Sequence, residues 1–179
     1  MNPAEFDPGP LADVSRQDID GRPTLVFVRT LRHPPEKVWA ALTVPDEIRQ
    51  WAPFVPGRNL TDLGTVTLRM TDSDGGEEIP GNVVHAVPPQ LLEFTWGGDL
   101  LRWELEPEGN GTRLTLRHTV DSPDLLSKVA AGWHLCLVVA ERFMDGKPIG
   151  PIVGEAAKAY GWEKLNDAYG DALGVHTTT

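Results

Sequence analysis

The sequence contains a single cysteine, Cys136, in 179 residues. One cysteine cannot close an intramolecular disulfide, and it cannot build a zinc site from thiolates alone. The sequence also lacks a His-Glu-x-x-His pattern and a glycine-rich turn that leads from a strand into a phosphate-binding helix. We therefore expect neither a metal nor any other cofactor.

Basic residues are also scarce, because 16 Lys and Arg face 26 Asp and Glu, a net charge of -10. Nucleic acids are held by clustered Lys and Arg, so a nucleic-acid partner is not expected. No run of apolar residues is long enough for a membrane helix, and the first residues lack a signal-peptide pattern. Together with the lone cysteine, these absences favour a cytoplasmic protein without membrane insertion.

The hydrophobic patterns that are present predict an α+β fold. Residues 1–22 are rich in Pro, Asp and Gly without periodicity, and we expect a flexible N-terminal arm there. A single domain is predicted over residues 23–174, followed by a C-terminal tail at 175–179. In that domain a strand precedes two short helices, about five closely spaced strands and a long helix. The short connections require antiparallel pairing, and a curved sheet against a helix can leave a cavity.

Four segments resemble one known superfamily in their order and spacing. These segments are PPEKVWAALTVPDEIRQW, GNVVHAVPPQLLEFTW, LEPEGNGTRLTLRHT and GWHLCL. They resemble the START-like (SRPBCC, helix-grip) superfamily, in the branch of activator of heat-shock-protein-90 ATPase homologue-like proteins. The resemblance implies a curved antiparallel sheet of six or seven strands wrapped around a long C-terminal helix, with a cavity beneath the helix. It implies no reaction, because the branch offers no shared catalytic motif that maps onto these residues.

The segment GWHLCLVVAERFMDG holds His134 and Cys136 close together, which raises the question of a thiol or metal site. Residues two apart on a helix differ by about 200° in direction, so these two side chains cannot share one metal ion. Cys136 falls on the apolar face and is expected to be a small buried hydrophobic residue. His134 falls on the flank, where we expect a locally hydrogen-bonded boundary histidine.

His118 is the more informative histidine. In TRLTLRHTV it alternates with Leu114 and Leu116, so it is predicted on the helix-facing side of its strand. A core histidine with satisfied hydrogen bonds fits this pattern. A histidine that orients a ligand, or acts as a general base in the cavity, fits it as well.

Large aromatic side chains supply the remaining candidates for the cavity lining, since an indole offers apolar area and one polar N–H. For each tryptophan, packing in the core is an equally good interpretation. The candidate lining residues are Trp51, Phe54, Trp96, Trp103, His118, Trp133 and Leu137.

The leading hypothesis is a protein that binds a small hydrophobic molecule, lipid-like or aromatic and polyketide-like, between sheet and helix. One alternative is a cavity-based enzyme such as a polyketide cyclase, with His118 as acid or base. Another is a stress-response or chaperone-associated module. The eukaryotic activator has a separate N-terminal domain for its chaperone, which this chain has no room for, so its domain content does not support a chaperone partner. A homodimer through a strand edge or the apolar helix is a further alternative.

Overall fold

The computed structural model describes residues 1–72 and 75–175 of the chain. Within these residues, eight strands form a single antiparallel sheet. The strands are β1 (Asp13–Ile19), β2 (Arg22–Leu31), β3 (Phe54–Pro56), β4 (Gly64–Met70), β5 (Glu78–Val87), β6 (Leu91–Trp96), β7 (Asp99–Glu108) and β8 (Gly111–Thr119). Their spatial order is β1-β2-β8-β7-β6-β5-β4-β3. Of the predicted tail 175–179, residues 176–179 lie outside the described part.

The helices lie before and after the main run of strands. They are α1 (Pro35–Thr43), α2 (Pro45–Ile48), α3 (Leu125–Met144) and α4 (Trp162–Leu173), with short 3₁₀ helices at Pro3–Glu5 and Gly154–Tyr160. The curled sheet and α3 share one continuous hydrophobic core. The predicted α+β helix-grip fold is therefore confirmed. No helix in the described ranges is long and apolar enough to cross a membrane.

The structure differs from the prediction at the N-terminal arm, residues 1–22. Residues 13–19 form β1, which pairs with β2 from Asp13 opposite Val28 to Ile19 opposite Arg22. The two strands are joined at Asp20 and Gly21, whose φ values of 52° and 77° are those of a tight hairpin turn. Because almost every β1 side chain is exposed, the strand has no apolar alternation to reveal it. With β1 and the short β3, the strand count is eight rather than six or seven.

His134 also differs from its prediction as a boundary residue, because it is fully buried. Helix α4 and residues 8–12 cover the flank of α3 on which it lies. Tyr169 of α4 accepts a hydrogen bond from the Ala12 N–H (2.9 Å) and lies 2.6 Å from His134 Nδ1. His134 Nε2 lies 2.7 Å from the carbonyl oxygen of Pro8.

The donors and acceptors in this chain of hydrogen bonds are determined by their chemistry. A carbonyl can only accept, so His134 Nε2 carries the proton and Nδ1 accepts from the Tyr169 hydroxyl. Burial is the main cause that lowers the pKa of His134. The Pro8 carbonyl opposes this effect, and the positive charge of Arg29 adds to it. A neutral histidine thus ties residues 8–12 to α3 and α4.

We expect Tyr169→Phe to destabilise the protein by about 1–3 kcal/mol, because it leaves the buried His134 Nδ1 and the partly buried Ala12 N–H without partners. The matched control is Tyr160→Phe, which removes a hydroxyl bonded to the carbonyl of Met1 at an exposed position. That control should cost less than about 0.5 kcal/mol. Urea denaturation of both variants measures the difference, and equal midpoints would contradict this account.

The lowered pKa of His134 also predicts a pH dependence of stability. The unfolded chain takes up a proton at this histidine near pH ~6.5, whereas the folded chain takes it up at lower pH. Its contribution to the free energy of unfolding is therefore complete above about pH 6.5 and is lost as the pH falls toward the folded-state pKa. An NMR titration of the carbon-bound imidazole protons should give His134 a midpoint below that of an unfolded histidine. A midpoint at or above the unfolded value would refute the neutral assignment.

Candidate functional site

An open pocket of about 350 Å³ lies along the first half of α3. One face of the helix forms its first wall, through Lys128, Val129, Gly132, Trp133 and Cys136. Their spacing of one, three or four residues places them on the same side of an α-helix. This face of the helix therefore presents one basic residue, three apolar residues and one glycine to the pocket.

The sheet supplies the second wall. Trp96 stands at the end of β6, His118 lies near the end of β8, and Pro53 precedes β3. Trp96 Nε1 lies 3.4 Å from the sulfur of Met70, a neighbouring core residue. This contact occupies the only polar atom of the indole side chain, so the ring offers an apolar surface to the pocket.

The segment between α3 and α4 supplies the third wall. Ile152 and Ala157 are buried in it, and Trp162 at the start of α4 is partly exposed. Glu155 and Lys158 are exposed at the edge of the pocket and form an ion pair of 2.9 Å with each other. The pocket is thus apolar within and charged at its edge.

Gly132 is the one position of the α3 wall that has no side chain. A Cβ atom built there meets no other atom within 4 Å, apart from the helix backbone itself. The open space at this point therefore belongs to the pocket, and a larger residue at position 132 would project into it. Lys128 and Cys136 lie one turn before and one turn after this gap.

His118 has both ring nitrogens occupied. It is fully buried, with Nε2 at 2.7 Å from Asp99 Oδ2 and Nδ1 at 2.9 Å from Trp133 Nε1. An indole N–H can only donate, so Nδ1 accepts and the proton of the neutral ring lies on Nε2, facing Asp99. Neither nitrogen is free to exchange a proton with a molecule in the pocket. In this state His118 fixes the position of the Trp133 ring.

Trp133 is the centre of a cluster of aromatic rings. Its ring centroid lies 5.3 Å from that of Trp103, 6.1 Å from Trp96 and 6.5 Å from Trp51. The pairs with Trp103 and Trp96 have the edge-to-face geometry that aromatic rings prefer. The rings fill much of the space between the sheet and α3, which places the pocket beside that packed cluster.

The predicted lining residues separate into two groups in the structure. Trp96, His118 and Trp133 line the pocket. The other four are buried in the core behind it, where Trp51 packs on Trp103 and Phe54 packs on Phe94 and Trp96. These core residues are Trp51, Phe54, Trp103 and Leu137.

Lys128, Gly132 and Trp162 line the pocket but were not among the predicted lining residues. Lys128 and Gly132 precede Cys136 at four-residue intervals on α3, where they interrupt its apolar face. That interruption was the sequence pattern that could have identified them. Trp162 is the first residue of α4. Gly161 has a φ of 93°, a left-handed conformation that ends the preceding 3₁₀ helix and starts α4 at Trp162.

Cys136 lines the pocket, but it is chemically inert at neutral pH. Its side chain is buried, and burial raises the pKa of the thiol to about 12. The reactive thiolate is therefore absent near pH ~7. Across residues 1–72 and 75–175, no three side chains of His, Cys, Asp or Glu gather where they could hold a metal ion.

Solved structures with similar folds come from several bacteria. CalU16 from Micromonospora echinospora is 20% identical, with 90% of this chain and 96% of that chain covered and a TM-score of 0.65. An AHSA1-like protein from Aeromonas hydrophila is 19% identical over 69% of this chain and 92% of its own, with a TM-score of 0.57. DynU16 is 22% identical over 70% of this chain and 48% of its own, with a TM-score of 0.61. At these identities the likeness establishes the fold.

The sequence itself identifies the family. No curated protein matches the chain significantly. The profile of the family described as Activator of Hsp90 ATPase homolog 1-like protein matches residues 32–139, more than half of the sequence. This match agrees with the resemblance seen in the four sequence segments. The chain therefore belongs to the Activator of Hsp90 ATPase homolog 1-like family.

Proposed function

We propose that this protein is a cytoplasmic binding protein for a small, mostly apolar molecule, which it holds in the pocket along α3. The observation that carries the proposal is the pocket itself, about 350 Å³ in volume and lined by three indole rings. Pockets for small molecules in proteins begin at roughly this size and have mainly apolar walls with a few polar groups. Trp96, Trp133 and Trp162 supply flat apolar surface for an aromatic ring or a hydrocarbon chain.

The gap at Gly132 supports the same proposal. Gly in the middle of a helix costs about 0.5–1 kcal/mol relative to Ala. A Cβ at this position meets no obstacle, so packing within the protein does not require the glycine. The space above residue 132 is therefore open to a ligand, and the absence of a side chain there enlarges the pocket.

DynU16 suggests which compounds to screen first. It is described as a protein of the dynemicin biosynthetic locus. From this likeness in fold we infer that polyketide-like and aromatic compounds are the first class to test, followed by lipids. The pocket favours compounds of one or a few rings, since a larger body would exceed its volume.

The geometry favours binding over turnover. A cyclase that used His118 as its acid or base would have to break the bond from Trp133 or the bond to Asp99 first. Cys136 is a buried thiol, and Glu155, the only carboxylate among the described residues that line the pocket, is paired with Lys158. The pocket walls thus offer no unengaged acid–base pair at their centre. The chaperone-associated alternative takes its support from the family alone, and a homodimer stays a prediction.

We expect Gly132→Leu to abolish binding while the fold is retained. The leucine side chain projects into open space from an ordinary helical position, so it fills the pocket without displacing backbone. The matched variant is Gly132→Ala, whose single methyl group fills much less of the pocket, so it should bind more tightly than Gly132→Leu and gain about 0.5–1 kcal/mol in stability. Fluorescence of the pocket tryptophans, measured in a screen of aromatic acids, polyketide-like compounds and lipids, gives the affinities.

For each compound found, the leucine variant should bind at least about tenfold more weakly, a loss of ~1.4 kcal/mol. Thermal unfolding of both variants checks that the fold is intact. Unchanged affinity in Gly132→Leu would remove this pocket as the binding site. A screen in which no compound binds the unchanged protein would overturn the proposed function.

A further inference from the structure

The described side chains that line the pocket carry a net positive charge, although the chain as a whole carries a net charge of -10. Three charged side chains belong to the pocket: Lys128, Glu155 and Lys158. Glu155 and Lys158 neutralise each other in an ion pair of 2.9 Å. The unbalanced charge of the lining is therefore the ammonium group of Lys128.

Lys128 has no ion pair within 4 Å and no hydrogen bond among the described residues. Asp124, four residues before Lys128, is an exposed residue whose carboxylate accepts a hydrogen bond from the Ser122 hydroxyl. The positive charge of Lys128 contributes to lowering the pKa of Asp124, after the larger effect of the Ser122 hydroxyl. Asp124 does not line the pocket, so it does not balance Lys128 on the pocket side.

Lys128 also lies on the same face of α3 as Gly132, the position without a side chain. It precedes Gly132 by one turn of α3, so the two residues lie on the same face of the helix, and both line the pocket. A molecule whose apolar body rests on Gly132 and Trp133 lies one helix turn from Lys128, in the same pocket. A purely apolar molecule would remove water from that charge without replacing it.

From this arrangement we propose that the ligand is an amphipathic anion: an apolar body that bears one acidic group, such as a carboxylate or a sulfonate, paired with Lys128. This inference rests on the proposed binding function and specifies its ligand class. An acidic group close to Lys128 gains a charge-assisted hydrogen bond, the stronger kind in proteins. Cationic ligands are disfavoured, because the lysine would repel them.

Two fluorescent probes with the same ring system test the inference. 8-Anilinonaphthalene-1-sulfonate carries one sulfonate, and N-phenyl-1-naphthylamine is the same molecule without it. The neutral probe is the more hydrophobic, so a pocket that recognises apolar surface alone would prefer it. We expect the sulfonate probe to bind about tenfold more tightly, which reverses that order.

The variant Lys128→Met keeps the length and apolar stem of the side chain but removes its charge. This substitution should lower the affinity for the sulfonate probe about tenfold and change the affinity for the neutral probe by less than about twofold. The matched control is Lys147→Met, which removes an exposed lysine beyond the end of α3 and outside the pocket lining, and its effect on the affinity of either probe should be less than about twofold. Added salt should lower the affinity of the unchanged protein for the sulfonate probe and have little effect on the affinity of Lys128→Met.

The outcomes separate this inference from the proposed function. If both probes bind, both are lost in Gly132→Leu, and Lys128→Met affects neither, the pocket is a binding site and the anionic ligand class is wrong. Tighter binding of the neutral probe by the unchanged protein would also overturn the ligand class. If neither probe binds, or if Gly132→Leu leaves both affinities unchanged, the proposed function fails at this pocket as well.

Discussion

The position of Trp133 is the constraint on which both the core and the pocket depend. Its indole ring packs edge-to-face on Trp103, and its N–H donates to the buried His118 of β8. One side chain of α3 is thus held to the sheet by ring packing and by a directional hydrogen bond. Because Trp133 is also part of the pocket wall, the same contacts that fix the helix define the shape of the site.

His118 contributes to the site through two hydrogen bonds, which engage both of its ring nitrogens. The sequence pattern correctly places it on the buried side of β8, and it left a core role and a catalytic role open. The structure favours the core role, since Asp99 and Trp133 occupy the two nitrogens. That choice depends on residues 15 to 19 positions away along the chain, so no local pattern in the sequence could make it.

The fold was predictable to the extent that side chains alternate between core and solvent. The apolar face of α3 and the strands of the sheet carry this signal, whereas β1 carries none because water covers nearly all its side chains. The Asp20-Gly21 pair was the only local sign of its hairpin. The burial of His134 also could not be predicted from local sequence, because it results from the docking of α4 and residues 8–12 on one flank of α3.

The candidate site was predictable in part for a similar reason. Trp96 and Trp133 stand out as large aromatics on regular elements, but the third wall is a segment whose path is set by glycines and not by periodicity. The central claim is that this wall, α3 and the sheet together enclose a ligand site. A crystal structure of the protein grown with 8-anilinonaphthalene-1-sulfonate tests it most directly. We predict density for the rings over Gly132, between Trp133 and Trp162, with the sulfonate at Lys128; the probe bound at another surface, with this pocket free of it, would contradict the account.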